Sequence, residues 1–272
     1  MRIRAIEPLP FLELPYGNPG PRRRPGVERA ALPVHRGVVH GLPEGVAAIL
    51  ATGDLQGREL SGRAPGRLVG EGLAEELAGL AAAGLLPPAE RTVVLLAGDL
   101  YAVPDLGRRG GLGDVRGVWS AFAAAFGAVV GVAGNHDAFG AGDVAQARER
   151  YRRRGAGRLL DGDVADLGRG LRIGGASGIA GNPRKPNRRF PDDQLAVIDR
   201  ALDQGPDVLV LHEGPAANGR RGSRELAEHL ALRRELPLVV CGHCHWAEPL
   251  AELEGGGQVL NVDARAVVLT AA

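Results

Sequence analysis

The 272-residue sequence is poor in cysteine, methionine, lysine and aromatic residues. It has two cysteines, one methionine and a single lysine, Lys185, and 4% of its residues are aromatic. Two cysteines are too few for the disulfide framework of a small secreted domain. Nearly all the basic residues are arginines, and alanine and glycine are abundant. We therefore interpret the preference for arginine over lysine as a coding bias and not as an adaptation to phosphate binding.

Long apolar runs and a strong net charge are missing as well. No run reaches the ~18 residues of a membrane-spanning helix, and the net charge of +1 draws the chain to neither nucleic acid nor a membrane. The glycine-rich stretch "GRRGGLGD" (107–114) has no P-loop lysine. Prolines interrupt the N-terminal stretch where a signal peptide would be apolar. We therefore expect a cytoplasmic protein without a membrane partner; nucleic acid or a nucleotide stays open as a substrate but is not indicated.

The chain does have a regular alternation of apolar runs and helical patterns, which predicts an α/β fold with two packed sheets. The predicted strands are 2–6, 45–54, 91–99, 127–137, 158–160, 164–167, 171–175, 207–215 and 236–245, with a final hairpin in 249–270. The predicted helices are 71–85, 114–126, 143–154, 192–202 and 223–236, capped by Asp114 and Ser223 in the second and the last. Residues 1–44 are expected to be one strand and an extended arm packed on a single domain of residues 45–272.

Five of the apolar strands end in polar residues that can bind a metal ion. These residues are Asp54, Asp99, Asn135 with His136, His212, and His243 with His245. Each one alone is ordinary, since an aspartate after a strand is usually a turn residue or a helix cap. Ligands of parallel sheets bind beyond the carboxyl ends of the strands, so five such ends in order predict one site. Carboxylates and imidazoles suit Mn, Fe, Co, Ni or Zn.

The stretch "CGHCH" (241–245) is ambiguous, because it contains both a redox motif and a pair of histidines. The redox interpretation requires a cysteine at the start of a long helix, which lowers its pKa, whereas Pro249 and an apolar run follow here. In an extended segment, residues two apart share a face, so His243 and His245 can point together. We therefore interpret the histidines as ligands and the cysteines as packing residues.

Taken together, these motifs resemble those of the calcineurin-like metallophosphoesterases. The similar segments are "GDLQG" (53–57), "AGDLY" (97–101), "GNHD" (134–137), "LHEGP" (211–215) and "GHCH" (242–245). The resemblance spans residues 53–245. It implies a sandwich of two mixed β-sheets flanked by helices, and hydrolysis of phosphate esters, as phosphatase or phosphodiesterase, by a two-metal site.

The resemblance also implies roles for individual residues. Metal one would be held by Asp54, Asp99 and His245, and metal two by Asp99, Asn135, His212 and His243. His136 would contact the substrate phosphate or protonate the leaving oxygen, and Asp137 would orient its ring. Mn²⁺ is the expected ion at both sites, with Fe, Zn, Ni, Co and Mg as alternatives.

One position departs from the family pattern: Gln56 stands where the relatives have a histidine ligand of metal one. A glutamine oxygen can ligate, but it is neutral and a weaker ligand than imidazole. The departure keeps a second hypothesis open, in which the fold serves as a non-catalytic binding scaffold; the thiol oxidoreductase is a third. The arginine clusters are interpreted as solvated faces, and the basic loop "NPRKPNRRF" (182–190), which follows a strand, is kept as a candidate for phosphate contacts.

Overall fold

The computed structural model describes residues 1–20, 26–60, 66–108, 110–168 and 170–272. The strands, in chain order, are β1 (Arg2–Ile6), β2 (Leu12–Pro19), β3 (Val27–His40), β4 (Ala48–Gly53), β5 (Thr92–Leu96), β6 (Gly113–Asp114), β7 (Ala128–Gly131), β8 (Asp137–Ala138), β9 (Arg158–Leu159), β10 (Asp163–Asp166), β11 (Arg172–Ala176), β12 (Ile179–Ala180), β13 (Arg188–Arg189), β14 (Val208–Glu213), β15 (Leu238–Gly242), β16 (Leu250–Glu252), β17 (Gln258–Asn261) and β18 (Arg265–Ala271). The helices are α1 (Val69–Ala82), α2 (Arg116–Ala125), α3 (Val144–Arg154), α4 (Pro191–Leu202) and α5 (Arg224–Ala231), with a 3-10 turn at Ala89–Arg91.

Two mixed sheets form the centre of the fold, as predicted. The first has the order β1-β3-β18-β4-β5-β7-β9, with β2 also paired to β3; the second has the order β10-β11-β14-β15-β17-β16. Strands β4, β5, β7 and β9 run parallel, as do β11, β14, β15 and β17. The parallel strands therefore end at a common edge in each sheet, which is where the polar residues were predicted to gather.

Each central strand is buried on both faces, which explains its continuous apolar sequence. In β4, Ile49 points into the core between the sheets, whereas Leu50 packs on the outer side with α1 and α2. Strand β5 repeats this alternation with Leu95 and Leu96. Helices α4 and α5 cover the outer face of the second sheet. The result is a sandwich of two sheets with a helical layer on each side.

The segment after β1 differs from the prediction. It was expected to be an extended arm, but it forms the strands β2 and β3, which pair along eight residues of each strand. Strand β3 also pairs with β1 and β18, so the segment is part of the first sheet. The many prolines and glycines concealed this, since Pro15, Pro19 and Pro33 all lie within strands.

The helices follow the predictions with shifted ends. Ser223 caps α5 as predicted, its hydroxyl accepting from Leu226 N, but the helix ends at Ala231, five residues early. The cap predicted at Asp114 is wrong: α2 begins at Arg116, and Asp114 lies in β6. Within the described residues, no helix combines the length and the apolar character that a membrane crossing requires.

Candidate metal centre

The ends of strands from both sheets surround one cleft of about 280 Å³. Residues following β4 and β5 meet there with residues following β15 and β17. The cleft is lined by Tyr16, Asn18, Asp54, Gln56, Asp99, His136, His243, His245, Asp263 and Ala264. The predicted gathering of polar side chains at one edge of the fold is thus present in the structure.

Three predicted ligands come together at this cleft. Ligand atoms of Asp99, His212 and His243 all lie within 4.8 Å of one another. His212 Nδ1 is 2.8 Å from the carbonyl oxygen of Ala97, and its Nε2 is 3.4 Å from Asp99 Oδ2. These three residues are most of the ligand set expected for metal two.

Burial and the charges of neighbouring residues shift the pKa values of all three side chains. Burial alone would raise the pKa of Asp99, but the positive charge of His212 brings it down to about 2. Burial alone would lower the pKa of His212, but the charge of Asp99 raises it to about 10. For His243, burial and the charge of His212 lower the pKa to about 4. His243 is therefore neutral at neutral pH and has a lone pair of the kind that binds metal ions.

Three predicted ligands share an uncommon backbone conformation. The φ angles of Asp54, Asp99 and His243 are 51°, 53° and 64°, in the left-handed region that few residues other than glycine adopt. Hydrogen bonds hold the loops in place: Asp54 N donates to Gly98 O, and His243 N donates to Asp54 Oδ2, both at 2.8 Å. Such strain, repeated in one cleft, is typical of functional sites.

Two glycines of the motifs allow the loops to approach the carboxylates. A Cβ atom on Gly134 would lie 2.0 Å from Asp99 Oδ1, and one on Gly242 would lie 2.0 Å from Asp54 Oδ2. Neither position can hold a side chain without displacing a predicted ligand. Steric crowding by the carboxylates therefore explains why "GNHD" and "GHCH" begin with glycine.

The loop at 134–137 lies against Asp99. His136 N donates to Asp99 Oδ1 at 2.8 Å, and His136 Nε2 is 3.9 Å from Asp99 Oδ2. The ring contacts Gly111 O through Nδ1 at 3.0 Å, and 31% of the side chain is exposed to the cleft. Asn135 is buried, with no hydrogen-bond partner for its Oδ1 among the described residues.

Asp137 does not orient the ring of His136, and this prediction is corrected. Its fully buried carboxylate accepts from the backbone N–H groups of Asp99, Leu100 and Gly134, at 2.8 to 2.9 Å. Burial and the charge of Asp99 raise its pKa to about 7. Asp137 is thus a structural residue that ties the loop after β7 to the loop after β5, while the ring of His136 is held by Gly111.

Gln56 lies in the cleft and touches the residue expected to bridge the two metals. Its Nε2 donates to Asp99 Oδ2 at 2.8 Å. Its amide group therefore lies close enough to Asp99 to belong to the same site. Its role as a metal ligand stays a prediction.

His245 stands apart from the three clustered ligands and has a partner that the sequence analysis missed. Its side chain is 67% exposed, and its Nδ1 contacts Asp263 Oδ2. Asp263 is buried and lines the cleft. The sequence position of Asp263 could have indicated this. Asp263 comes two residues after β17, which is parallel to β15, and ligands bind beyond the carboxyl ends of parallel strands. We overlooked it because the tail was interpreted only as a hairpin and a final strand.

The donor chemistry of the cleft fits a divalent cation. Asn135 Oδ1 is buried and has no hydrogen-bond partner within the described ranges, and the buried His212 Nε2 has the ion-pair contact with Asp99 Oδ2. Burial and the charges of Asp263 and Asp99 raise the pKa of Asp54 well above its ordinary value. Gathering these acceptors and like charges costs free energy unless a cation compensates. Carboxylate, amide and imidazole donors together suit a borderline divalent metal.

The two cysteines are free thiols with packing roles, as predicted. Cys241 is fully buried in the core beneath α4 and α5, and Cys244 packs at its border. Burial raises the pKa of Cys244 to about 11 and that of Cys241 well above its usual range. A reactive thiolate is thus disfavoured at both positions, which argues against the redox hypothesis.

Comparisons with known proteins identify a family model and solved structures that are similar to the chain. The family model described as calcineurin-like phosphoesterase matches residues 47–247. Among solved structures, the protein TT1561 of Thermus thermophilus is 17% identical, with a TM-score of 0.51 over 80% of this chain and 90% of that one. A sulfate thiohydrolase, SoxB of Thermus thermophilus, solved with glycerol, is 16% identical, with a TM-score of 0.46 over 83% of this chain and 53% of that one.

Among curated proteins, no sequence matches the chain. The family model covers most of the chain and includes all five motifs. TT1561 shares the fold at low identity. The chain therefore belongs to the calcineurin-like phosphoesterases.

Proposed function

We propose that this protein hydrolyses phosphate esters with two divalent metal ions, Mn²⁺ first among the candidates, and that it acts in the cytoplasm. The proposal rests mainly on one observation: the ligand atoms of Asp99, His212 and His243 lie within 4.8 Å of one another. They lie beside a cleft that His136 also lines. A binding scaffold that keeps the metal site would not need a histidine outside the ligand sets that reaches into the same cleft, as His136 does. The geometry therefore favours the hydrolase over the binding scaffold.

The residues divide into two ligand sets that share Asp99. One set is Asp99, Asn135, His212 and His243; the other is Asp54, Asp99, His245 and the oxygen of Gln56. When bound, two such ions lower the pKa of water and neutralise charge that develops on phosphate oxygens. The chain contributes the fixed positions of these donors, held by backbone hydrogen bonds to the carboxylates.

In this proposal His136 acts on the substrate. With Nδ1 beside Gly111 O, its Nε2 is the atom that faces the cleft and Asp99. A protonated imidazole there would donate a hydrogen bond to a phosphate oxygen or a proton to the leaving oxygen. Because its backbone N–H is fixed by Asp99, the ring stays beside the ligands without being one.

Hydrolysis of nitrophenyl phosphate and bis-nitrophenyl phosphate tests this proposal. The purified protein should release nitrophenol from at least one of them with Mn²⁺, and EDTA should abolish the reaction. The ratio of the two rates tells phosphatase from phosphodiesterase. A protein that binds Mn²⁺ but hydrolyses neither substrate would support the binding scaffold instead.

Asp263→Asn should weaken the binding of one metal ion by about 10–100-fold, the usual effect of losing the carboxylate partner of a ligand histidine. The reason is the contact between Asp263 and Nδ1 of His245, which leaves Nε2 of that ring available. Titration calorimetry with Mn²⁺ measures the two affinities separately. The exposed Asp193→Asn is the matched control and should keep both.

The double variant Asp263→Asn with His245→Ala shows whether Asp263 acts through His245. If it does, the double variant binds Mn²⁺ no more weakly than His245→Ala alone. Additive losses would contradict this account, since Asp263 would then act on the metal site independently of the histidine.

A further inference from the structure

A second cleft, of about 330 Å³, lies between the start of α3 and residues 183–189, which form β13 and the loop before it. We call it the basic cleft. The cations that line it are Arg148, Arg184, Lys185, Arg188 and Arg189, and the acid that lines it is Asp143. The Asp143 carboxylate accepts from Gln146 N at 2.9 Å as the cap of α3. The lining of this cleft is thus mainly positive.

Two of these cations already have a carboxylate partner, and three do not. Arg148 and Arg189 both contact Asp161 Oδ2, at 3.3 and 2.5 Å. The side chains of Arg184, Lys185 and Arg188 make no hydrogen bond or ion pair within the part of the chain that is described. The paired arginines give the cleft a fixed wall, while the other three leave positive charge available to an anion.

The basic cleft is connected to the metal centre. Asn187 Nδ2 donates to Gly134 O and Asp137 O, at 2.9 and 2.8 Å, and its Oδ1 accepts from Arg148 at 3.1 Å. A ligand in the basic cleft would thus lie beside the loop that carries His136.

We propose that the basic cleft binds a second phosphate group of the substrate, so that the enzyme prefers phosphate esters whose leaving group carries another phosphate. The proposal rests on the hydrolase function proposed above. One phosphate would lie at the metal centre and the other against Arg184, Lys185 and Arg188. Guanidinium groups match phosphate oxygens in pairs. Arg188 lies within electrostatic range of the Glu213 carboxylate but forms no ion pair with it in the described residues.

The test compares n-alkyl phosphates with α,ω-alkane bisphosphates over a series of chain lengths, measuring phosphate release with Mn²⁺. At the best length, kcat/KM of the bisphosphate should exceed that of the monophosphate by about tenfold or more, the effect of a single charge-assisted hydrogen bond. That ratio should fall toward one in Arg188→Ala and in the double variant Arg184→Ala with Lys185→Ala. Misfolding would lower both rates together and leave the ratio intact.

Arg234→Ala removes an exposed arginine that does not line the cleft, and it should keep the wild-type ratio. Equal kcat/KM values for the two substrate classes in the wild type would overturn the proposal while leaving the hydrolase function standing. A preference that survives in both cleft variants would also overturn it. Hydrolysis of neither class would refute the hydrolase function itself.

Discussion

His243→Ala is expected to abolish Mn²⁺-dependent hydrolysis. The variant loses one of the three side chains whose ligand atoms lie within 4.8 Å of one another. It leaves Asp99 and His212 as a buried ion pair, with Asn135 as the one remaining donor of the proposed set. The loss in kcat/KM should exceed the about 10–100-fold caused by removing an outer partner of a ligand. Elemental analysis of the dialysed protein should show less bound metal than in the wild type.

Cys244→Ala is the matched control, since it changes the neighbouring residue of the same stretch. Cys244 is partly buried at the border of the core of the second sheet, so its loss should cost some stability and leave metal binding largely intact. If Cys244→Ala abolished metal binding while His243→Ala did not, the assignment of this stretch would be wrong.

His136→Ala should lower kcat by about 10²–10⁴-fold, the usual contribution of a general acid or base, while metal content stays at the wild-type level. The side chain reaches into the cleft, and its Nε2 is 3.9 Å from Asp99 Oδ2. His136 belongs to neither proposed ligand set, so its loss should remove the proton donor and leave metal binding unchanged. Steady-state kinetics and elemental analysis of the same preparation separate these effects.

His40→Ala is the control for the loss of a histidine, because His40 is exposed at the end of β3. It should have wild-type kcat and metal content. Wild-type kcat in His136→Ala would show that His136 takes no part in catalysis. A loss of metal in proportion to the loss of activity would show that it acts through metal binding instead.

The parallel strands of both sheets, and the edge at which their polar residues gather, could be predicted from the sequence. Parallel strands buried on both faces have continuous apolar sequences, and their carboxyl ends share an edge, so Asp54, Asp99 and His243 could be placed together without coordinates. The hairpin of β2 and β3 could not be predicted. Its prolines lie where β2 and β3 pair with each other. The pairing of β3 with β1 and β18 farther along the strand anchors this region to the sheet, and tertiary context of this kind overrides local propensity.

The partners of the polar groups were the least predictable part of the site. Asp137 follows His136 directly, yet its carboxylate binds backbone N–H groups of another loop, a contact that depends on how two strand ends meet. The left-handed φ angles of three ligand positions likewise arise from tertiary packing. Asp263, by contrast, follows the end of a parallel strand, as the predicted ligands do, and its place in the cleft could have been predicted.

Anomalous scattering from crystals grown with Mn²⁺ tests the central claim most directly. The account predicts two peaks in the cleft, with Asp99 in contact with both, one beside His212 and His243 and the other beside Asp54 and His245. A cleft with no anomalous peak, or peaks only at residues outside it, would contradict the claim that these strand ends form a two-metal centre.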